Sequence, residues 1–244
     1  MLENQMMLLA VFERAALMLM TLFLLTRTRP FQRLFQKRDH TPAELVLVAS
    51  IFCLFAVFST YTGIPVEGAL INVRIIAIIS GGILFGPWVG IPAGVISGLH
   101  RYLIDMDGHT SIPCLIASII AGLLATWLHL RCRKSRLWLY GILAGMLCEG
   151  LTMLLIWLLT EPHEVGVEIV SHIAYPMIAG ALCIGLIIKL VQDLDDEKEL
   201  IAAKQAKLAL DIANKTLPFF QKVDRHSLGQ VCGVICNEIH ADAV

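Results

Sequence analysis

Charge is what this 244-residue chain lacks most, since only 16% of its residues are Asp, Glu, Lys or Arg and 57% are hydrophobic. A typical soluble domain has about 25% charged residues. Apolar runs close to the ~20 residues that a helix needs to cross a bilayer recur from residue 6 to residue 191. The scarcity of charge excludes an ordinary soluble domain. We therefore predict an all-α polytopic membrane protein.

The chain also lacks the signatures of catalysis. No phospho-acceptor histidine motif and no ATP-binding loop are found, so we expect no catalytic residue in this chain. Cys232 and Cys236 share a helix-face spacing but have no further ligands nearby, so we expect no zinc site. We predict that the chain itself binds no cofactor, no metal and no nucleic acid.

Apolar stretches define about seven candidate transmembrane segments. The first one lacks a basic n-region and an Ala-x-Ala cleavage site, so we interpret it as a retained helix rather than a cleaved signal peptide. The seven stretches are residues 6–25, 45–61, 70–85, 88–104, 112–130, 137–160 and 169–191.

The short loops between these stretches predict the orientation. Loops 26–40 and 131–136 are rich in Lys and Arg, whereas 61–68 and 160–168 contain neither. Because cytoplasmic loops are enriched in basic residues, we expect the N-terminus outside and the C-terminus in the cytoplasm of a bacterial inner membrane. Both basic loops lie on the cytoplasmic side, and 45–61 and 112–130 each cross the membrane once. Residues 70–104 between them must therefore cross twice or not at all. We predict a hairpin, spanning or re-entrant, that turns at Gly86-Pro87.

The predicted hairpin contains two arginines, and a charged side chain is costly to place inside a membrane. Arg74 and Arg101 lie ~18 and ~21 Å from the predicted turn on antiparallel arms, which places them at nearly the same height towards the outer face. Glycines recur at every fourth position between them and permit close helix packing. They are Gly82, Gly86, Gly90, Gly94 and Gly98.

A pair of guanidinium groups suits a small anion, because each can hold a carboxylate through two parallel N–H···O bonds. The alternative is that one or both arginines extend their charged ends to the outer headgroups. Cys114, at the outer start of the fifth span, is expected at the same level or is a small core residue. His100 is either a cavity residue or a structural histidine, and Asn72 flanks Arg74. Glu149 neutralises an arginine, is protonated, or makes a helix–helix contact.

The composition changes abruptly after residue 191. Residues 193–215 predict a charged cytoplasmic helix that pairs with its copy in a homodimer or remains a single solvated helix, and Pro218 is expected to end it. Ser227 then predicts the start of an amphipathic helix, and 240–244 the start of a strand. The predicted organisation is a transmembrane receptor domain at 1–192, a helical linker at 193–217 and the start of a cytoplasmic domain at 218–244.

Four motifs stand out along the chain: Asn72-Val-Arg74, Gly81-Gly82-Ile-Leu-Phe-Gly86-Pro87-Trp-Val-Gly90, Gly98-Leu-His100-Arg101-Tyr102 and Pro113-Cys114. Together they resemble the membrane receptor domain of LytS-type sensor histidine kinases. The linker from Ala206 to Pro218 and the last five residues are similar to the same family. The resemblance covers essentially the whole chain.

This resemblance implies a membrane receptor for extracellular pyruvate. By motif, the binding residues fall on Arg74, Arg101 and Cys114, and the family's serine position is Ala117 here, with Ser118 beside it. It also implies that residues 218–244 begin a GAF-like domain, followed by a kinase that uses ATP and Mg²⁺ and phosphorylates a LytTR-type response regulator. Two alternatives stay open: a small-carboxylate transporter or substrate-binding membrane subunit, and a purely structural anchor.

Overall fold

The computed structural model describes residues 41–66, 69–106, 108–132 and 136–220, with isolated positions between 6 and 24 and at 229 and 231–233. The contacts divide the chain into two compact units, Met1–Val191 and Gln192–Val244. Most of the predicted first span and of the helix from Ser227 lies outside the described residues. The predicted strand at 240–244 lies entirely outside them.

Helices make up nearly all of the described chain. A single short hairpin departs from the predicted all-α fold, and within it Ile64 pairs antiparallel with Ile71. In chain order the elements are α1 (Pro42–Tyr61), β1 (Ile64–Val66), β2 (Ala69–Ile71), α2 (Arg74–Phe85), α3 (Pro87–Ile104), α4 (Ser111–Arg131), α5 (Leu137–Leu159), α6 (His163–Gly180) and α7 (Leu182–Phe220). Strands of three residues are too short to produce an alternating pattern that the sequence could reveal.

The helices of the first unit carry apolar side chains on both their inner and outer faces. Leu54, Phe58, Trp88 and Leu147 are all exposed. Within the described chain, four helical stretches are long and apolar enough to cross a membrane: α1, α4, α5 and the stretch His163–Leu217 that contains α6 and most of α7. Large exposed apolar surface on such helices suits lipid rather than water. The helical membrane fold is therefore as predicted.

The predicted hairpin turn is confirmed at Gly86, where α2 ends and α3 begins. Gly86 has a φ of 79°, a conformation that glycine adopts without steric cost, and Pro87 occupies the first turn of α3. The arms are unequal, because 12 residues of α2 span ~18 Å and 18 residues of α3 span ~27 Å. A hydrocarbon core is ~30 Å thick, so α2 alone is too short to cross it. The count of seven spans stays a prediction.

Glycines bring α3 into close contact with α4. A Cβ at Gly94 would lie 2.5 Å from the carbonyl oxygen of Ser118, and one at Gly122 would lie 2.5 Å from that of Gly90. Since real Cβ atoms do not approach this closely, only glycine fits at these crossings. The partner of the glycine ridge is thus α4, and this packing fixes α3 along α4.

Two features of the last segments differ from the prediction. The last predicted span, 169–191, falls within the apolar helical stretch His163–Leu217, but a turn at Ala181 divides it into the end of α6 and the start of α7. Pro176 lies inside α6 and cannot donate a backbone hydrogen bond to the preceding turn, which weakens the helix just before this break. Pro218 does not end the linker helix either, because α7 continues to Phe220. A proline near a helix end removes one backbone bond, and the helix stops two residues later.

Candidate functional site

Arg74 is the first residue of α2, and protein surrounds its side chain. Only 2% of its surface is exposed. Its backbone N–H donates to Asn72 Oδ1 at 3.3 Å, and its Nη2 donates to the carbonyl oxygen of Cys114 at 3.4 Å. Among the described residues, Arg74 Nε, Arg74 Nη1 and Asn72 Nδ2 are buried and have no hydrogen-bond partner. Arg74 therefore keeps most of its hydrogen-bonding capacity free inside the protein.

Arg101 lies in the last turn of α3 and is fully buried. Its Nη1 and Nη2 both donate to Asp105 Oδ2 at 3.2 Å, and Nη2 also reaches Thr110 Oγ1 at 3.1 Å. Its Nε is buried without a partner in the part of the chain that the structure describes. Arg101 is thus held by an ion pair one turn along its own helix, and it retains one free donor.

The two arginines meet the same turn of α4. Arg101 contacts Thr110 and Arg74 contacts Cys114, and the backbone N–H of Cys114 donates to the carbonyl of Thr110 at 3.0 Å. Residues four apart on a helix are neighbours, with Cβ atoms about 5–6 Å apart. The guanidinium groups therefore both contact the start of α4, and they reach it from two different helices. Because both are enclosed, the alternative that they extend to the headgroups is wrong.

Cys114 contributes its backbone rather than its thiol to these contacts. Its carbonyl oxygen accepts from Arg74 Nη2 and also from Ser118 Oγ, the latter at 2.6 Å. Both residues are buried, with Cys114 5% exposed and Ser118 fully enclosed. Arg74 and Ser118 therefore both donate to the backbone carbonyl of Cys114. Ser118 donates its hydroxyl proton to the Cys114 carbonyl four residues earlier in α4, so its hydroxyl is held against its own helix.

The electrostatics of this place favour a negatively charged oxygen. Arg74 adds its charge to the N-terminus of α2, where the helix dipole already places a partial positive charge. The unpartnered groups on Arg74, Arg101 and Asn72 are all N–H donors, whereas α5, which packs against α2, carries one unpartnered acceptor, Glu149 Oε2. Buried donors without a partner are rare and costly in folded proteins, since each loses its hydration. An anionic acceptor would satisfy several of them at once.

Comparison with known proteins gives a family for this arrangement. The family model described as 5TMR of 5TMR-LYT matches residues 28–194, which include all six candidate site residues. The chain belongs to this receptor family.

Several 5TMR-LYT relatives match nearly the whole chain. The sensor histidine kinase YpdA of Escherichia coli (strain K12) is 59% identical over 98% of this chain and 42% of that protein. The sensor protein LytS of Bacillus subtilis (strain 168) is 30% identical over 96% of this chain and 42% of that protein. The sensor histidine kinase BtsS of Escherichia coli (strain K12) is 29% identical over 85% and 38%. The chain therefore spans about two fifths of the length of these relatives.

His100 precedes Arg101 on α3 of this 5TMR-LYT receptor, and its ring contacts Tyr61. Its ring is 5.1 Å from the ring of Tyr61 at a T-shaped angle, and its Nε2 is 3.3 Å from the Tyr61 hydroxyl. Its Nδ1 is buried and has no partner among the described residues. Tyr61 therefore orients the ring of this sixth candidate and leaves its Nδ1 free.

Sequence reasoning missed two residues that hold this receptor's site together. Asp105 is the ion-pair partner of Arg101, and Thr110 accepts a hydrogen bond from it. The spacing of four residues between Arg101 and Asp105 is typical of helix ion pairs and could have indicated the first contact. Thr110 gave no such signal, because only the packing of α3 on α4 brings it to Arg101.

Proposed function

We propose that this chain is the membrane receptor portion of a two-component sensor histidine kinase and that it binds a small carboxylate, pyruvate, between Arg74 and Arg101. Family membership supports the receptor assignment. The resemblance of the motifs supports pyruvate as the ligand. Asn72, His100, Cys114 and Ser118 complete the proposed binding site.

The observation that carries this proposal is the burial of two guanidinium groups with unpartnered N–H groups at one turn of α4. A carboxylate offers two oxygens in the planar geometry that guanidinium forks recognise. Arg74 is the primary anchor in this proposal, because its Nε and Nη1 have no partner among the described residues. Arg101 adds charge and one donor, since Asp105 occupies its other groups.

The size of the ligand limits the affinity. Small ligands gain at most about 1.5 kcal/mol per heavy atom, so a molecule of pyruvate's size gains no more than about 9 kcal/mol. This corresponds to a dissociation constant of about micromolar at best. Such an affinity suits a sensor that follows changing external concentrations.

We place the receptor in the bacterial inner membrane with its N-terminus outside and its C-terminus in the cytoplasm. The basic residues of loop 131–136, compared with the absence of Lys and Arg from 160–168, support this orientation. The proposal includes about seven membrane segments, of which the two arms of the α2–α3 hairpin, spanning or re-entrant, are two. The binding site then lies towards the outer face.

The signal is proposed to leave through α7. This helix begins in the first unit and continues into the second, so a shift of its start would be passed along the same chain. In the complete protein we expect a GAF-like domain and a kinase that uses ATP and Mg²⁺, assembled as a homodimer, to phosphorylate a LytTR-type response regulator. A ligand can drive this only if it binds one arrangement of the helices more tightly than the other.

Calorimetric titration of the detergent-solubilised chain with pyruvate tests the binding proposal. Each charge-assisted hydrogen bond contributes about 1.5–3 kcal/mol, so Arg74→Gln and Arg101→Gln should each weaken binding at least ~10-fold. Arg131→Gln, at the exposed opposite end of α4, is the matched control and should bind as the wild type does. Unchanged affinity in both site variants would contradict the proposal. Accumulation of labelled pyruvate in proteoliposomes would favour a transporter instead.

A further inference from the structure

Asn72 is a buried amide in direct contact with Arg74. It lies between the end of β2 at Ile71 and the start of α2, and only 5% of its surface is exposed. Its Oδ1 accepts from the backbone N–H of Arg74 at 3.3 Å. Because a backbone N–H only donates, this contact requires the oxygen of the amide and leaves the nitrogen for another partner. The first residue of α2 therefore fixes the orientation of the Asn72 amide.

The nitrogen of Asn72 is left without a partner by this orientation. Its Nδ2 is buried and makes no hydrogen bond to any of the described residues. Buried amide donors are nearly always bonded in folded proteins, and an unbonded one is costly because it has lost its hydration. Arg74 has two unpartnered donors of its own, Nε and Nη1. Charged donors and a neutral donor therefore belong to two residues that contact each other.

These two kinds of donor suit two kinds of oxygen. A guanidinium group binds an anionic carboxylate through charge-assisted bonds, whereas a neutral amide N–H donates readily to a neutral carbonyl oxygen. In a 2-oxo acid the carboxylate and the carbonyl are on adjacent carbon atoms, so one small molecule presents both oxygens.

The donors also distinguish a carbonyl from a hydroxyl group. The buried, unpartnered atoms of Asn72, Arg74 and Arg101 are all donors. A carbonyl oxygen only accepts, so it adds no new requirement when it enters. The hydroxyl group of a 2-hydroxy acid accepts as well, but it brings a proton that needs an acceptor of its own. The site is therefore better matched to the oxo acid than to the hydroxy acid.

We propose that Asn72 Nδ2 donates to the carbonyl oxygen next to the ligand carboxylate, so that the site selects 2-oxo acids over plain carboxylic acids and over 2-hydroxy acids. This inference rests on the proposed function, in which Arg74 and Arg101 bind the carboxylate. The arginines supply most of the affinity, and Asn72 determines the specificity. A site that hydrogen-bonds an oxygen rejects an analogue without it, because the donor then stays buried and unpaired.

Comparison of pyruvate with two analogues tests this selectivity in the wild type. Propionate has a methylene group in place of the carbonyl, and lactate has a hydroxyl group there. Calorimetric titration of the detergent-solubilised chain should show pyruvate binding at least ~10-fold more tightly than propionate, and more tightly than lactate. Equal affinities for pyruvate and propionate, or lactate binding as tightly as pyruvate, overturn the inference.

Asn72→Ser removes the amide donor and keeps a side-chain oxygen that accepts from the N–H two residues on. Pyruvate affinity should fall to within about threefold of that for propionate, while propionate affinity keeps its wild-type value. Ser80→Ala is the matched control, because this buried hydroxyl on α2 already donates to the carbonyl of Ile76 at 2.6 Å. It should leave both affinities unchanged. If Asn72→Ser weakens both ligands equally, or keeps the wild-type ratio, Asn72 does not read the carbonyl.

The same titrations separate this inference from the proposed function. If the wild type binds neither pyruvate nor propionate, the proposed function fails and the inference fails with it. If the wild type binds both with equal affinity, the arginines bind carboxylates as proposed and only the role of Asn72 is wrong.

Discussion

Arg74 begins α2, so its charge lies at the end of the helix where the helix dipole places a partial positive charge. The guanidinium charge and the helix dipole both repel cations and both attract an anion. The residues around it take part in different ways: the side-chain oxygen of Asn72 accepts from the backbone N–H of Arg74, and the backbone carbonyl of Cys114 accepts from its guanidinium group. At the scale of single residues, the site therefore offers N–H hydrogen-bond donors to a ligand.

Substitution of Cys114 tests the role of its backbone. Cys114→Ser and Cys114→Ala keep the carbonyl that accepts from Arg74 and Ser118, so pyruvate affinity should fall by no more than about threefold. Calorimetry on the purified variants measures this. A loss beyond about tenfold would mean that the thiol itself contacts the ligand.

Removal of the Asp105 carboxylate tests the ion pair of Arg101. Arg101 is fully buried and donates twice to Asp105, so Asp105→Asn should destabilise the unliganded protein by about 1–2 kcal/mol. Thermal unfolding measures the change. Glu161→Gln, an exposed carboxylate on the segment between α5 and α6, is the control. Equal melting temperatures for Asp105→Asn and the wild type would contradict the pair.

At the scale of elements, the sequence predicted the turn at Gly86-Pro87 and the glycine ridge, because both rest on local rules of backbone geometry. It did not predict the β-hairpin, the break at Ala181 or the partner of the ridge. Each of these depends on packing between distant segments, which one sequence does not encode in a local pattern. The candidate residues Arg74, Arg101 and Cys114 were found by their chemistry. Their contacts with Asp105 and Thr110 followed only from the crossing of α3 and α4.

A methyl group at the crossing of α3 and α4 tests the packing. Gly94→Ala should destabilise the protein by about 1–3 kcal/mol, because its Cβ would lie 2.5 Å from a backbone carbonyl that has little freedom to move. Gly150→Ala on α5 is the matched control, since no atom within 4 Å meets its Cβ. That variant should be neutral or slightly more stable because alanine is the better helix former. A lower melting temperature for Gly150→Ala than for Gly94→Ala would contradict this packing.

At the scale of the whole molecule, composition was sufficient to predict a helical membrane protein, and the motifs identified its family. Composition is sufficient because a chain so poor in charge enters a bilayer, where few backbone structures other than helices satisfy all of their hydrogen bonds. The number of spans is harder to predict. Helix α2 is apolar but only 12 residues long, so hydropathy alone does not tell a crossing from a re-entrant arm.

Fusions to the C-terminus test the proposed orientation. A green fluorescent protein joined after Val244 should fluoresce, because it folds in the cytoplasm, and an alkaline phosphatase at the same position should be inactive. The comparison uses whole bacteria and normalises each signal to the amount of fusion protein. Active phosphatase with a dark fluorescent fusion would reverse the proposed orientation.

The most direct test of the central claim is an experimental structure of the chain with pyruvate bound. The account predicts ligand density between the two buried arginines, with carboxylate oxygens about 2.7–2.9 Å from Arg74 Nε or Nη1 and within reach of Arg101 Nε. Density for pyruvate elsewhere, with Arg74 Nε and Nη1 still without an anionic partner, would contradict it.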